Sequence, residues 1–132
     1  MLNGSKKRYR IGFIFPEDLS WFGYKNYLIN LITALDIHPK GKKIILICGN
    51  DKLNIIKSLK LKNIKVISTN FLNKKGFLNF IKKIFSYFFD RHDPLFFFFI
   101  KKYNINLISH YKPYSFIKSL VWFPDFQHIV LR

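Results

Sequence analysis

The residues best equipped for chemistry lie near the carboxyl end of the sequence, where residues 122–128 read WFPDFQH. Asp125 supplies a carboxylate, Gln127 an amide and His128 an imidazole, with Trp122, Phe123 and Phe126 around them. Such a set suits hydroxyl-rich molecules: the amide and imidazole hydrogen-bond hydroxyls, and flat aromatic faces cover sugar rings. His110 ends another apolar run, INLISH, and offers a second imidazole. The same residues also have a purely structural use, in which Asp125 caps a turn after Pro124 and the histidines sit at the surface. A metal centre is not expected, because His110, Asp125 and His128 lack a tight ligand spacing and nothing else joins them.

The apolar segments decide whether these side chains can meet. Residues 9–15 (YRIGFIF) read as a buried strand, ended by Pro16 and a polar loop through Gly23. From Tyr24 the period becomes helical, with Tyr27, Leu28, Leu31, Ile32 and Leu35 on one face, and the helix ends before His38-Pro39. Residues 42–48 (KKIILIC) form a second strand, GNDK turns the chain into a short helix reaching about Lys60, and residues 64–69 (IKVIST) form a third strand. Residues 77–89 carry the clearest helical pattern: phenylalanines, leucine and isoleucines fill one semicircle, while Asn79, Lys82, Lys83, Ser86 and Tyr87 fill the other. The expected use of that semicircle is packing on the sheet; the alternative is a helix lying in a membrane interface. Pro94 opens a further helix through Tyr103, in which Phe96 to Phe99 point in four directions, so some phenylalanine must be exposed or covered by a partner.

Residues 105–110 and 119–124 supply a fourth and a fifth strand. Strands alternating with helices predict βαβ units and a parallel sheet covered on both faces. The expected fold is one Rossmann-like α/β domain over residues 9–132, preceded by a basic tail at 1–8. Ligands of such sheets bind at the carboxyl ends of the strands. That rule brings His110, Asp125, Gln127 and His128 to one crevice. Gly23, at the entry to the first helix, lets an anionic group approach the free N–H donors there.

The formal net charge is +16, from 23 Lys and Arg against 7 Asp and Glu, a balance that ordinarily suggests nucleic acid or an anionic membrane. Lys, Ile, Phe and Asn supply 65 of the 132 residues while Ala occurs once, the mark of AT-rich codons, so part of the charge reflects drift toward Lys. The lysines are scattered from Lys6 to Lys118, and no RRM, KH or zinc-finger pattern is present. A nucleic-acid partner is therefore not expected. A basic nucleic-acid-binding protein and a non-catalytic partner subunit stand as the alternatives to an enzyme. Cys48 is the only cysteine and ends an apolar run, which makes it core filler in a reducing compartment. The amino-terminal segment does not read as a signal peptide, and the longest apolar run, LFFFFI at residues 95–100, is far short of the roughly 20 residues a spanning helix needs.

Four segments carry a resemblance: IGFIFP at residues 11–16, WFGYKNYLINL at 21–31, INLISH at 105–110 and WFPDFQH at 122–128. In order and spacing they resemble the amino-terminal domain of family 4 glycosyltransferases, two-domain GT-B enzymes that transfer sugars from nucleotide donors with retention of configuration. The resemblance implies that Gly23 and its neighbour Tyr24 lie beside the donor diphosphate and the acceptor, and that Asp125 and His128 stand near the donor sugar; His110 and Gln127 join them by their place at the strand ends. Two positions depart from the family pattern. Pro124 precedes Asp125 where a donor-contacting His is usual, with His128 as the candidate substitute, and Tyr24 stands where a second Gly is common. The family needs no metal or other cofactor, takes the nucleotide sugar as substrate, and lets the departing phosphate accept the proton of the attacking hydroxyl. The resemblance also implies a cytoplasmic protein, peripheral at the inner face of the plasma membrane, acting on glycan or lipid-linked acceptors. The donor-binding domain of the family has no counterpart in these residues. The expectation is a gene fragment, a frameshifted product or half of a split enzyme, inactive alone until a separately encoded donor-binding domain joins it.

Overall fold

Residues 44–48 are apolar without a break and all are buried, yet they serve two different cores. Side chains alternate across a strand, so Ile44, Leu46 and Cys48 enter one core while Ile45 and Ile47 enter the other. A strand buried on both faces reads as a continuous apolar run, which is the signature of a covered parallel sheet. The computed structural model of the chain describes residues 9–20, 22–39, 43–88, 94–111 and 114–120.

In chain order the elements are β1 (Arg10–Ile14), α1 (Phe22–Ile37), β2 (Lys43–Gly49), α2 (Leu53–Ser58), β3 (Lys65–Thr69), α3 (Phe77–Phe88), α4 (Pro94–Lys102), β4 (Leu107–Ser109) and β5 (Lys118–Leu120). Single 3-10 turns at Asn50–Lys52 and Asn70–Leu72 follow β2 and β3. The five strands form one parallel sheet in the order β3-β2-β1-β4-β5, with Gly12 of β1 level with Ile45 of β2 and Ile108 of β4. One face packs Phe13, Phe15, Leu46 and Cys48 against Leu28 and Ile32 of α1 and Ile56 of α2. The other packs Ile14, Ile47 and Ile108 against Phe96 and Ile100 of α4. This is the expected Rossmann-like α/β layer with helices on both faces. Cys48 is wholly buried, and burial pushes its thiol up to about 11, so it is a packing residue.

α3 departs from expectation. Neither core contains a residue of this helix. It is rotated so that Ile81 and Phe85 are half-buried and Lys82 is buried, while Phe77, Phe80, Ile84 and Phe88 are exposed. The physical reason is an ion pair: Lys82 reaches inward to Glu17 in the loop after β1. A lysine drawn inside needs such a partner, and satisfying it turns half of the apolar semicircle outward. In α4 the expected division holds, with Phe96 buried and Phe98 exposed to 69%.

Candidate functional site

The strand order reverses at β1, which has β2 on one side and β4 on the other. Open parallel sheets hold ligands beyond the carboxyl ends of the strands at that switch point. Here those ends deliver Phe15 and the loop at 16–20 from β1, and Ser109 and His110 from β4.

His110 is the centre of the arrangement. Its backbone lies in the left-handed region at φ 63°, uncommon for a non-glycine residue, which lets the chain leave β4 sharply and turns the ring back toward α1. The imidazole stacks on Phe13 at 5.6 Å and on Tyr24 at 6.3 Å, and lies 5.7 Å from the Tyr27 ring. Its Nδ1 is 2.7 Å from Ser109 Oγ, and the Tyr24 hydroxyl donates to the His110 carbonyl at 3.2 Å. The Tyr24 bond joins the first turn of α1 to the end of β4. Burial, and then the neighbouring Tyr27, push Tyr24 up to about 12, so its hydroxyl stays protonated and a donor.

Burial lowers the His110 pKa below its ordinary 6.5. The ring is therefore neutral at pH 7 and can hydrogen-bond a hydroxyl, as Nδ1 does with Ser109, while Nε2 is buried. Because the folded value is depressed, the unfolded chain takes up the proton first as pH falls through 6.5, and this site favours unfolding at lower pH. An NMR titration of the ring should place its midpoint below 6.5. A midpoint at or above 6.5 would contradict the packed aromatic setting.

The loop after β1 carries two acids. Asp18 accepts from the Ser20 N–H at 2.9 Å and pairs with Lys74 at 3.3 Å, while Glu17 holds Lys82. The loop after β1 is thus fastened to the segment that enters and forms α3. The backbone bond from Ser20, then the contact with Lys74, hold the exposed Asp18 carboxyl below its ordinary range.

The structure brings together two of the sequence-predicted site residues, Tyr24 and His110. Gly23 is exposed beside them but lies within the first turn of α1, not before it, because the helix begins at Phe22. Asp125, Gln127 and His128 lie outside the described residues. The sequence reading missed Ser109, Tyr27, Glu17 and Asp18. A signal existed for the acids: Glu17 and Asp18 are adjacent in a chain with 7 acidic residues, at the end of the first strand. Two recesses of about 300 Å³ each lie at the opposite, amino-terminal edge, one lined by Arg10, Lys43, Lys65 and Tyr103 and the other by Tyr9, Asn106, Phe116 and Lys118. They are far from His110, and the chemistry favours the carboxyl edge, where an imidazole, a phenol and hydroxyls converge.

Comparison of the chain with family models, with curated proteins and with solved structures finds no match. No helix among the described residues is long and apolar enough to cross a membrane.

Proposed function

We propose that this chain is the acceptor-side part of a retaining GT-B glycosyltransferase, which needs a donor-binding domain for transfer and works peripherally at the inner face of the plasma membrane. The observation that supports this reading best is the meeting of Tyr24 and His110 at the switch point: the resemblance sets Tyr24 beside the acceptor, and the strand-end rule brings His110 to the same edge. A neutral imidazole set among aromatic rings is suited to hydrogen-bonding a sugar hydroxyl while the rings cover its apolar face. In this reading the chain binds and orients the glycan or lipid-linked acceptor, and Gly23 leaves room beside the helix start for the donor phosphates. Asp125, Gln127 and His128 add contacts to the same substrate. No metal is required, and the nucleotide sugar is a substrate.

Calorimetry with a panel of oligosaccharide and short-chain glycolipid acceptors tests the reading. A binding acceptor should lose about tenfold in affinity with His110→Ala, and similarly with Asp125→Ala or His128→Ala, as expected for one lost hydrogen bond in a desolvated site. Unchanged affinity in all three variants would contradict it. The recess at Arg10, Lys43 and Lys65 favours the basic, polyanion-binding alternative. That alternative predicts instead an affinity for RNA or DNA that falls steeply with salt.

A further inference from the structure

α3 presents Phe77 at 76%, Phe80 at 61%, Ile84 at 42% and Phe88 at 71% exposure. Positions 77, 80, 84 and 88 follow one stripe of a helix, so these side chains make a single continuous face. An apolar face of this kind on a folded domain marks a contact surface. The helix does not expose it by loose packing. Its inner side is occupied: Lys82 is drawn in by Glu17, and Ile81 and Phe85 are half-buried beside it.

The charge around the face selects the partner. Residues 70–88 carry four lysines and no acidic residue; Lys74 and Lys82 are matched by Asp18 and Glu17 of the loop after β1, and Lys75 and Lys83 add positive charge beyond those pairs. Lys75 and Lys83 are exposed, one just before the helix and one on the flank of the apolar stripe. A helix with an apolar face, lysines at its margin and a length too short to span lies flat in an anionic interface. We infer that the outward face of α3 docks on an anionic lipid surface, with Phe77, Phe80, Ile84 and Phe88 entering the acyl boundary and Lys75 and Lys83 meeting the headgroups. This deepens the peripheral-membrane element of the proposed function by naming its surface. The Glu17–Lys82 and Asp18–Lys74 pairs connect the loop after β1 to the helix and to the segment leading into it, with the Glu17–Lys82 pair on the inner side of the helix, away from the docking face.

The test uses the full chain carrying Phe80→Trp and vesicles of phosphatidylglycerol mixed with phosphatidylcholine. Its fluorescence should shift to the blue and be quenched by brominated acyl chains. Removing the phosphatidylglycerol should weaken binding at least about tenfold, as should Phe77→Asp or Phe88→Asp added to the tryptophan variant. Circular dichroism and the unfolding midpoint of each variant report whether it is folded, and Lys83→Glu supplies a surface change away from any core. Three results overturn the inference: no quenching, equal binding to purely zwitterionic vesicles, or a concentration-dependent dimer that the same substitutions dissolve. The last would make α3 a contact between copies of the chain. Lipid binding and acceptor binding are read separately, so either proposal can fail without the other.

Discussion

Replacing Asp36 with Ala should cost about 3 kcal/mol of stability, the range for a charged acceptor lost from several hydrogen bonds at once. Asp36 is near the end of α1, is 8% exposed, and looks out of place on the buried side of a helix. Its carboxylate accepts the backbone N–H groups of Lys62 at 2.9 and 3.1 Å, Asn63 at 2.7 Å and Ile64 at 2.9 Å. Its own carbonyl takes the Asn63 side-chain amide at 2.7 Å. One side chain thereby satisfies the turn that feeds β3 and fixes α1 against it. Asp36→Ala leaves the Ile64 N–H buried without that acceptor, whereas Asp36→Asn keeps one oxygen and should lose less.

The pH dependence follows from the same contacts. Burial alone would raise the Asp36 pKa, but the three backbone donors outweigh it and hold it below the ordinary 3.8. The contribution is therefore complete well above 3.8, fades as pH falls through that value, and is gone once pH drops below the folded pKa. Urea unfolding of wild type and Asp36→Ala should show their stability difference shrinking below pH 4. A difference that stays constant into acid would mean that the carboxylate charge is not what holds the turn.

Gly49→Ala is expected to be the other severe change, at about 2–3 kcal/mol. A methyl at the end of β2 would lie 2.6 Å from the Leu72 carbonyl oxygen and 2.9 Å from its carbon, with Asp51 Oδ1 at 2.5 Å. Carbonyl and strand are both backbone, so no rotamer change relieves the contact; the 3-10 turn at Asn70–Leu72 must shift. That turn leads to α3, so the substitution should also disturb the Lys82–Glu17 pair. Thermal unfolding and the chemical shifts of residues 70–88 read the two effects. A folded Gly49→Ala protein with wild-type stability would show that the turn gives way at little cost.

The sheet was legible in the residues because its chemistry is local. Ile44 to Cys48 announces a strand buried on both faces, and the helical repeat from Tyr24 announces a helix buried on one side, with Leu28 and Ile32 inward. The direction of α3 was not legible. Periodicity reports that a helix has an apolar face, not which way the face points, and the decision rests on a partner 65 residues earlier, Glu17. Asp36 was hidden for the same reason, since its donors come from a turn 26 to 28 residues away. At the site, strand ends predicted that His110 faces the switch point. Its left-handed backbone and its stacking with Phe13 and Tyr27 arise only when β1, β4 and α1 are assembled.

A glycan acceptor should bind at the carboxyl edge, beside Tyr24 and His110. The most direct measurement is amide NMR of the labelled chain during titration with the acceptor panel. The shifts should saturate and cluster at residues 15–24 and 109–111. Shifts confined to the basic recess at Arg10, Lys43 and Lys65, or none with any acceptor, would contradict it.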